Sequence, residues 1–122
     1  MTTNILLTTG VYDLVKDHLR RKKVTQTQEE VLLAELKNAK QVMRKDLPNE
    51  IVTIGKKVTI KDLSTNQEME YNFVGPDEAK PKKKRHSILM DEGLATVGYK
   101  TGDIINWPTV DGDKKYQILN VE

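Results

Sequence analysis

The hydrophobic period of this chain changes at Pro48, and that change limits the fold more than any single motif. Before it, apolar residues recur at three- and four-residue steps; after it, they alternate. From Thr9 to about Lys23, Val11, Leu14, Val15 and Leu19 form one apolar helical face. Thr9 can cap that helix, and Asp13 suits the positive end of its dipole. Thr25 with Gln28, or Thr27 with Glu30, reads as a capping box that opens a second helix. This helix is expected to run to about Lys45, with Val31, Leu32, Leu36, Ala39, Val42 and Met43 on its apolar side, and to stop at Pro48. A short link between two amphipathic helices predicts an antiparallel hairpin, a short coiled coil over residues 1–48 that projects from the rest.

Residues 49–122 read as a small, mostly antiparallel sheet. KKVTIKDL places Val58 and Ile60 on one face, and EMEYNFV places Met69, Tyr71 and Phe73 together, with STNQ as the turn between them. SILM, DIINW and KKYQILNVE are three further strands, the last two joined across Val110-Asp111-Gly112-Asp113. DEGLATVGY suits one short helix. The predicted class is therefore α+β, a helical hairpin on a β-rich base.

Charge is concentrated rather than abundant. KPKKKRH, residues Lys80 to His86, holds five cations, and KDHLRRKK, residues 16–23, holds five more with one acid, yet the chain's net charge is only +2. That is too little for a general nucleic-acid coat. Pro76 and Pro81 favour an extended, exposed loop around Lys82, Lys83, Lys84 and Arg85. The N-terminus lacks a basic signal region, and no run reaches the roughly 18 apolar residues of a membrane span. With no cysteine, disulfides and thiolate chemistry are excluded, which fits a cytoplasmic protein with no membrane partner. His18 and His86 lack ligand spacing, so no metal site or cofactor is expected.

Motifs for nucleophilic catalysis, phosphate cradling and zinc hydrolysis are absent. Adjacent acids such as Asp77-Glu78 and Asp91-Glu92 read as solvated turns or helix starts. Trp107, alternating with Ile105, reads as core rather than as a stacking platform. The residues alone reach a helical hairpin with a small sheet, a binding protein rather than an enzyme.

NFVGPDEAKPKKKRHSIL, followed by GLATVGYKTGDIINWP and KKYQILNVE, resembles the C-terminal domain of bacterial Gre-type (GreA/GreB) transcription factors, collinearly over residues 56–122. The resemblance implies a sheet like that of the FK506-binding isomerases, carrying a helical hairpin, and a monomer that docks on RNA polymerase beside its secondary channel. LLAELKNAKQVMRKDLPNEIVTI is similar to the short-hairpin branch typified by the regulator of nucleoside diphosphate kinase. Cleavage-stimulating relatives carry paired acids at the hairpin tip, which help hold a magnesium ion. Here the tip, Arg20, Arg21, Lys22, Lys23, Thr25 and Gln26, carries none, and Glu29 and Glu30 start the next helix about 100° apart. The family's S-I-D-S-P docking motif is matched at Ser87, whereas Leu89 and Asp91 replace its Asp and Pro.

The resemblance thus implies a non-catalytic regulator of transcription elongation, docking through Ser87, Leu89, Met90, Asp91 and Glu92. The basic tip and loop would contact nucleic acid or acidic polymerase surfaces. The alternatives are a transcript-cleavage factor that uses Glu29 or Glu30, and a prolyl isomerase suggested by the sheet alone.

Overall fold

The computed structural model describes residues 5–122. Strand β1 (Leu6–Thr8) runs directly into helix α1 (Thr9–Arg20). The cap is Thr8, one residue earlier than expected: its backbone is extended and its Oγ1 accepts from the Val11 N–H at 3.3 Å. Helix α2 (Gln26–Asn38) opens with the Thr25–Gln28 capping box. The Gln28 N–H donates to Thr25 Oγ1 at 3.1 Å, and the Thr25 N–H donates to Gln28 Oε1 at 3.2 Å.

Helix α2 stops well short of Lys45. Ala39 turns extended, and strand β2 (Lys40–Val42) pairs in parallel with β1, Leu6 facing Lys40 and Thr8 facing Val42. Because β1 enters α1 and β2 leaves α2, this pair ties both ends of the hairpin together. Val42 and Met43 therefore lie on no helical face, and Met43 is exposed.

The main sheet holds β3 (Lys57–Asp62), β4 (Gln67–Val74), β5 (Arg85–Ser87), β6 (Ile104–Thr109) and β7 (Gly112–Val121) in the order β5-β4-β3-β7-β6. All pairs are antiparallel except β4 with β5. Helix α3 (Asp91–Thr96) lies between β5 and β6 in the chain. The strand expected at SILM begins two residues earlier and ends at Ser87, so Ile88 to Met90 form a turn instead. The α+β class stands, with two helices in a hairpin and one short helix against the sheet.

Alternation along the strands buries Val58, Ile60, Tyr71, Phe73, Ile105, Trp107, Tyr116 and Ile118. The same continuous core takes in Val11, Val15 and Leu19 of α1 and Leu32 and Leu36 of α2. The hairpin thus shares one core with the sheet and is not a free finger. Gln28 Nε2 donates to the Pro108 carbonyl at 2.8 Å, and the Leu6 N–H donates to the Gly98 carbonyl at 3.2 Å. Gly98 has φ +86°, and a Cβ there would lie 2.8 Å from Ile5 Cβ, so the residue leading into β1 meets the turn after α3 where only glycine fits. The physical reason for the folded-back hairpin is area. Burying five aliphatic side chains of the two helices in the core they share with the sheet is worth on the order of 10 kcal/mol.

Candidate functional site

The turn after β5 is built rigidly. Ser87 Oγ accepts from the Leu89 N–H at 3.1 Å, and the Ser87 carbonyl accepts from the Met90 N–H at 3.1 Å. Ile88 points inward with no exposure, while Leu89 and Met90 stay half-buried. Helix α3 packs so closely beneath this turn that a Cβ on Gly93 would lie 2.2 Å from the Ile88 carbonyl oxygen. An edge fixed in this way needs no reordering when it meets a partner.

Facing this edge are the last two turns of α1 and the residues just beyond them. A cleft of about 580 Å³ opens between them. Leu14, Asp17, His18, Arg21 and Lys23 form one wall, and Pro76, Asp77, Ser87, Leu89 and Met90 form the other. The size is that of a site for a small molecule or a few side chains. Ser87, Leu89 and Met90, expected at the docking edge, and Arg21 and Lys23, expected at a distant tip, are thereby brought together. Leu14, Asp17, His18, Pro76 and Asp77 were not singled out for this role. The signal for the first wall was available: Leu14, His18 and Arg21 share one helical face at steps of four and three.

The tip is basic but partly neutralised from within. Asp17 accepts from Arg20 and lies 2.9 Å from Arg21 Nε; the Arg20 hydrogen bond, chiefly, holds the Asp17 carboxyl below its usual range. Lys22, with φ +57°, places Nζ 2.9 Å from Glu29 Oε1. Glu29 is therefore engaged by a lysine, and Glu30 is exposed on its own. Lys23 is in no ion pair among the described residues. Burial lowers the His18 pKa, and the charges of Lys23 and Arg21 lower it further, against a smaller opposite pull from Asp17. At His18 itself the two cations outweigh Asp17. Thr25 serves as a helix cap and Gln26 is an exposed first-turn residue.

A second cleft of about 370 Å³ places Lys22, Lys23, Val24 and Thr25 against Asp91, Thr109 and Val110, so the tip leans on the start of α3 and the β6–β7 turn. Asp91 is exposed, whereas Glu92 is half-buried and accepts from the Tyr71 hydroxyl at 3.1 Å. The basic loop closes on itself: the Lys80 N–H donates to the Arg85 carbonyl at 2.8 Å and the Arg85 N–H donates to the Lys80 carbonyl at 3.2 Å. Lys82, Lys83, Lys84 and Arg85 are exposed and in no ion pair among the described residues. Phe73, Trp107 and Tyr116 are buried in the core, so these rings do not line an open peptide pocket.

Residues 47–122 match the family described as "Transcription elongation factor, GreA/GreB, C-term". Transcription elongation factor GreA of Clostridium botulinum (strain Alaska E43 / Type E3) is 40% identical over 87 residues, which cover 71% of this chain and 54% of that protein. The chain thus spans about half the length of the curated relatives it matches. Among solved structures, a prokaryotic transcription elongation factor GreA/GreB from Nitrosomonas europaea superposes with a TM-score of 0.66 at 25% identity, covering 98% of both chains. Gfh1 of Thermus aquaticus shares the fold at a TM-score of 0.52 and 17% identity, covering 99% of both chains. On the match across its sheet region and the identity to its relatives, this chain belongs to the GreA/GreB transcription elongation factor family.

Proposed function

We propose that this protein is a regulator of transcription elongation that binds RNA polymerase near its secondary channel and does not stimulate transcript cleavage. The observation that carries this reading is the state of the tip. Residues 20–28 hold no acid, the nearest carboxylate is engaged by Lys22, and the tip rests against the β6–β7 turn. Two-metal chemistry needs carboxylates converging on an ion, and among the described residues none converge at this tip. The rigid Ser87–Glu92 edge is the docking element, on a monomer acting in the bacterial cytoplasm. The short arms of the hairpin fit the short branch of the family.

The exposed loop Lys82–Arg85 adds a salt-sensitive contact to nucleic acid or to an acidic polymerase surface. Retention by bacterial core RNA polymerase in a pull-down at low salt tests the reading. A clean negative with folded protein ends it. In halted elongation complexes supplied with Mg²⁺, the expected result is no stimulation of nascent-RNA cleavage; robust cleavage removable by Glu29→Ala or Glu30→Ala would restore the cleavage-factor alternative.

A further inference from the structure

We infer that the hairpin supplies the second wall of the docking cleft, and that the cleft takes an acidic protein segment anchored by an apolar side chain. The inference rests on the proposed docking function but assigns the hairpin a different part in it: a jaw beside the docking edge in place of a reaching probe. Three observations carry it. The cleft has an apolar component from both sides, Leu14 on α1 and Leu89 and Met90 on the turn, with Pro76 beside them. One wall is rigid by construction, through the Ser87 hydrogen bonds and the close packing of Gly93. The other wall presents Lys23, in no ion pair among the described residues, and its positive field reaches His18 despite Asp17.

These features favour a protein over a nucleic acid. A nucleic-acid backbone would leave the apolar surface of Leu14, Leu89 and Met90 unused. A peptide segment can bury one aliphatic or aromatic side chain between Leu14 and Met90 while its carboxylate faces Lys23. Rim charges of this kind act mainly on association rate and on salt dependence.

The experiment measures binding of the full chain to bacterial core RNA polymerase at low and high salt, with Met90→Lys and Lys23→Glu variants whose folding is checked by thermal melting. Lys23 is exposed, so its reversal is expected to leave the melt unchanged. Expected is a loss of binding for Met90→Lys at both salts. Lys23→Glu should weaken binding roughly three- to tenfold at low salt, with the deficit shrinking at high salt. If Met90→Lys abolishes binding and Lys23→Glu binds like the unaltered protein, the hairpin is no wall of the site and the inference falls alone. If binding disappears on ribonuclease treatment, an RNA bridges the two and the protein-segment occupant is wrong. If the unaltered protein fails to bind at all, the docking function falls and takes this inference with it.

Discussion

The Tyr99 hydroxyl donates to Glu35 Oε1 at 3.1 Å, joining helix α2 to the segment that follows α3. The other carboxylate oxygen, Oε2, is sealed from solvent with no hydrogen-bond partner among the described residues. A buried carboxylate with one acceptor unused is costly when charged. Burial accordingly pushes the Glu35 pKa from 4.5 up to about 7, and the Tyr99 hydrogen bond offsets part of that rise. The junction between hairpin and sheet therefore holds a carboxyl that prefers its proton.

The sign of the pH dependence follows. A carboxyl whose pKa is higher in the folded state favours folding most when protonated. Its contribution is complete below 4.5, declines as the pH rises toward about 7, and is lost above that. The full difference is about 3 kcal/mol. The melting temperature is expected to fall between pH 5 and pH 8, and Glu35→Gln should remove most of that slope while melting higher than the unaltered protein at pH 8. A Gln variant with the same slope would assign the dependence to other groups.

Gln28 carries two jobs at once, capping α2 and donating to Pro108. Gln28→Ala loses the reciprocal cap and leaves the Pro108 carbonyl without its side-chain donor, a destabilisation of about 2 kcal/mol. Gln28→Glu separates the two roles. It keeps a cap acceptor but turns an acid toward a carbonyl oxygen, so its deficit should grow from pH 4 to pH 8. Urea denaturation at both pH values measures it; a pH-independent deficit would mean that the Pro108 contact contributes little.

At Gly93 the obstacle to a side chain is backbone, which cannot swing away. Gly93→Ala is expected to lose about 3 kcal/mol, the upper range for overpacking a core. It should also shift the Leu89 and Met90 amide resonances, because the turn would be pushed off α3. Loss of stability without movement of those resonances would place the strain elsewhere and deny Gly93 a part in holding the proposed docking edge.

Much of the fold was legible where structure is local. The Thr25–Gln28 box, the alternation in β3, β4, β6 and β7, and the inward-facing Ile105–Trp107 pair all follow from neighbours in sequence. The end of α2 was not legible, because Ala39 to Val42 are ordinary helix continuers locally. They turn extended to pair with Leu6–Thr8, over thirty residues away, and a three-residue strand is too short to show a period. The destination of the hairpin was hidden for a related reason. Periodicity says which face of α1 is apolar and nothing about what covers it, so a stripe that packs on a sheet reads the same as one that packs on its twin. The cleft was legible only in halves: the motif marks Ser87, and Leu14, His18 and Arg21 share a helical face, but that the two halves face each other follows only from where α1 lies.

The basic loop offers a change that separates conformation from charge. Lys84 ends the turn Pro81–Lys83 in a left-handed conformation, φ 59°, with its N–H on the Pro81 carbonyl at 3.0 Å and its own carbonyl accepting from Asn72 at 3.2 Å. A side chain in this region costs roughly 1 kcal/mol, and a β-branched one costs more. Glycine removes that strain but brings a larger unfolded-state entropy, so Lys84→Gly should be neutral to slightly stabilising. Lys84→Val should be less stable than the glycine variant by about 2 kcal/mol, or roughly 8 °C in melting temperature. Both variants remove the same charge. Polymerase binding that falls equally in the two therefore reports electrostatics, whereas binding that falls only in Lys84→Val reports the shape of the loop.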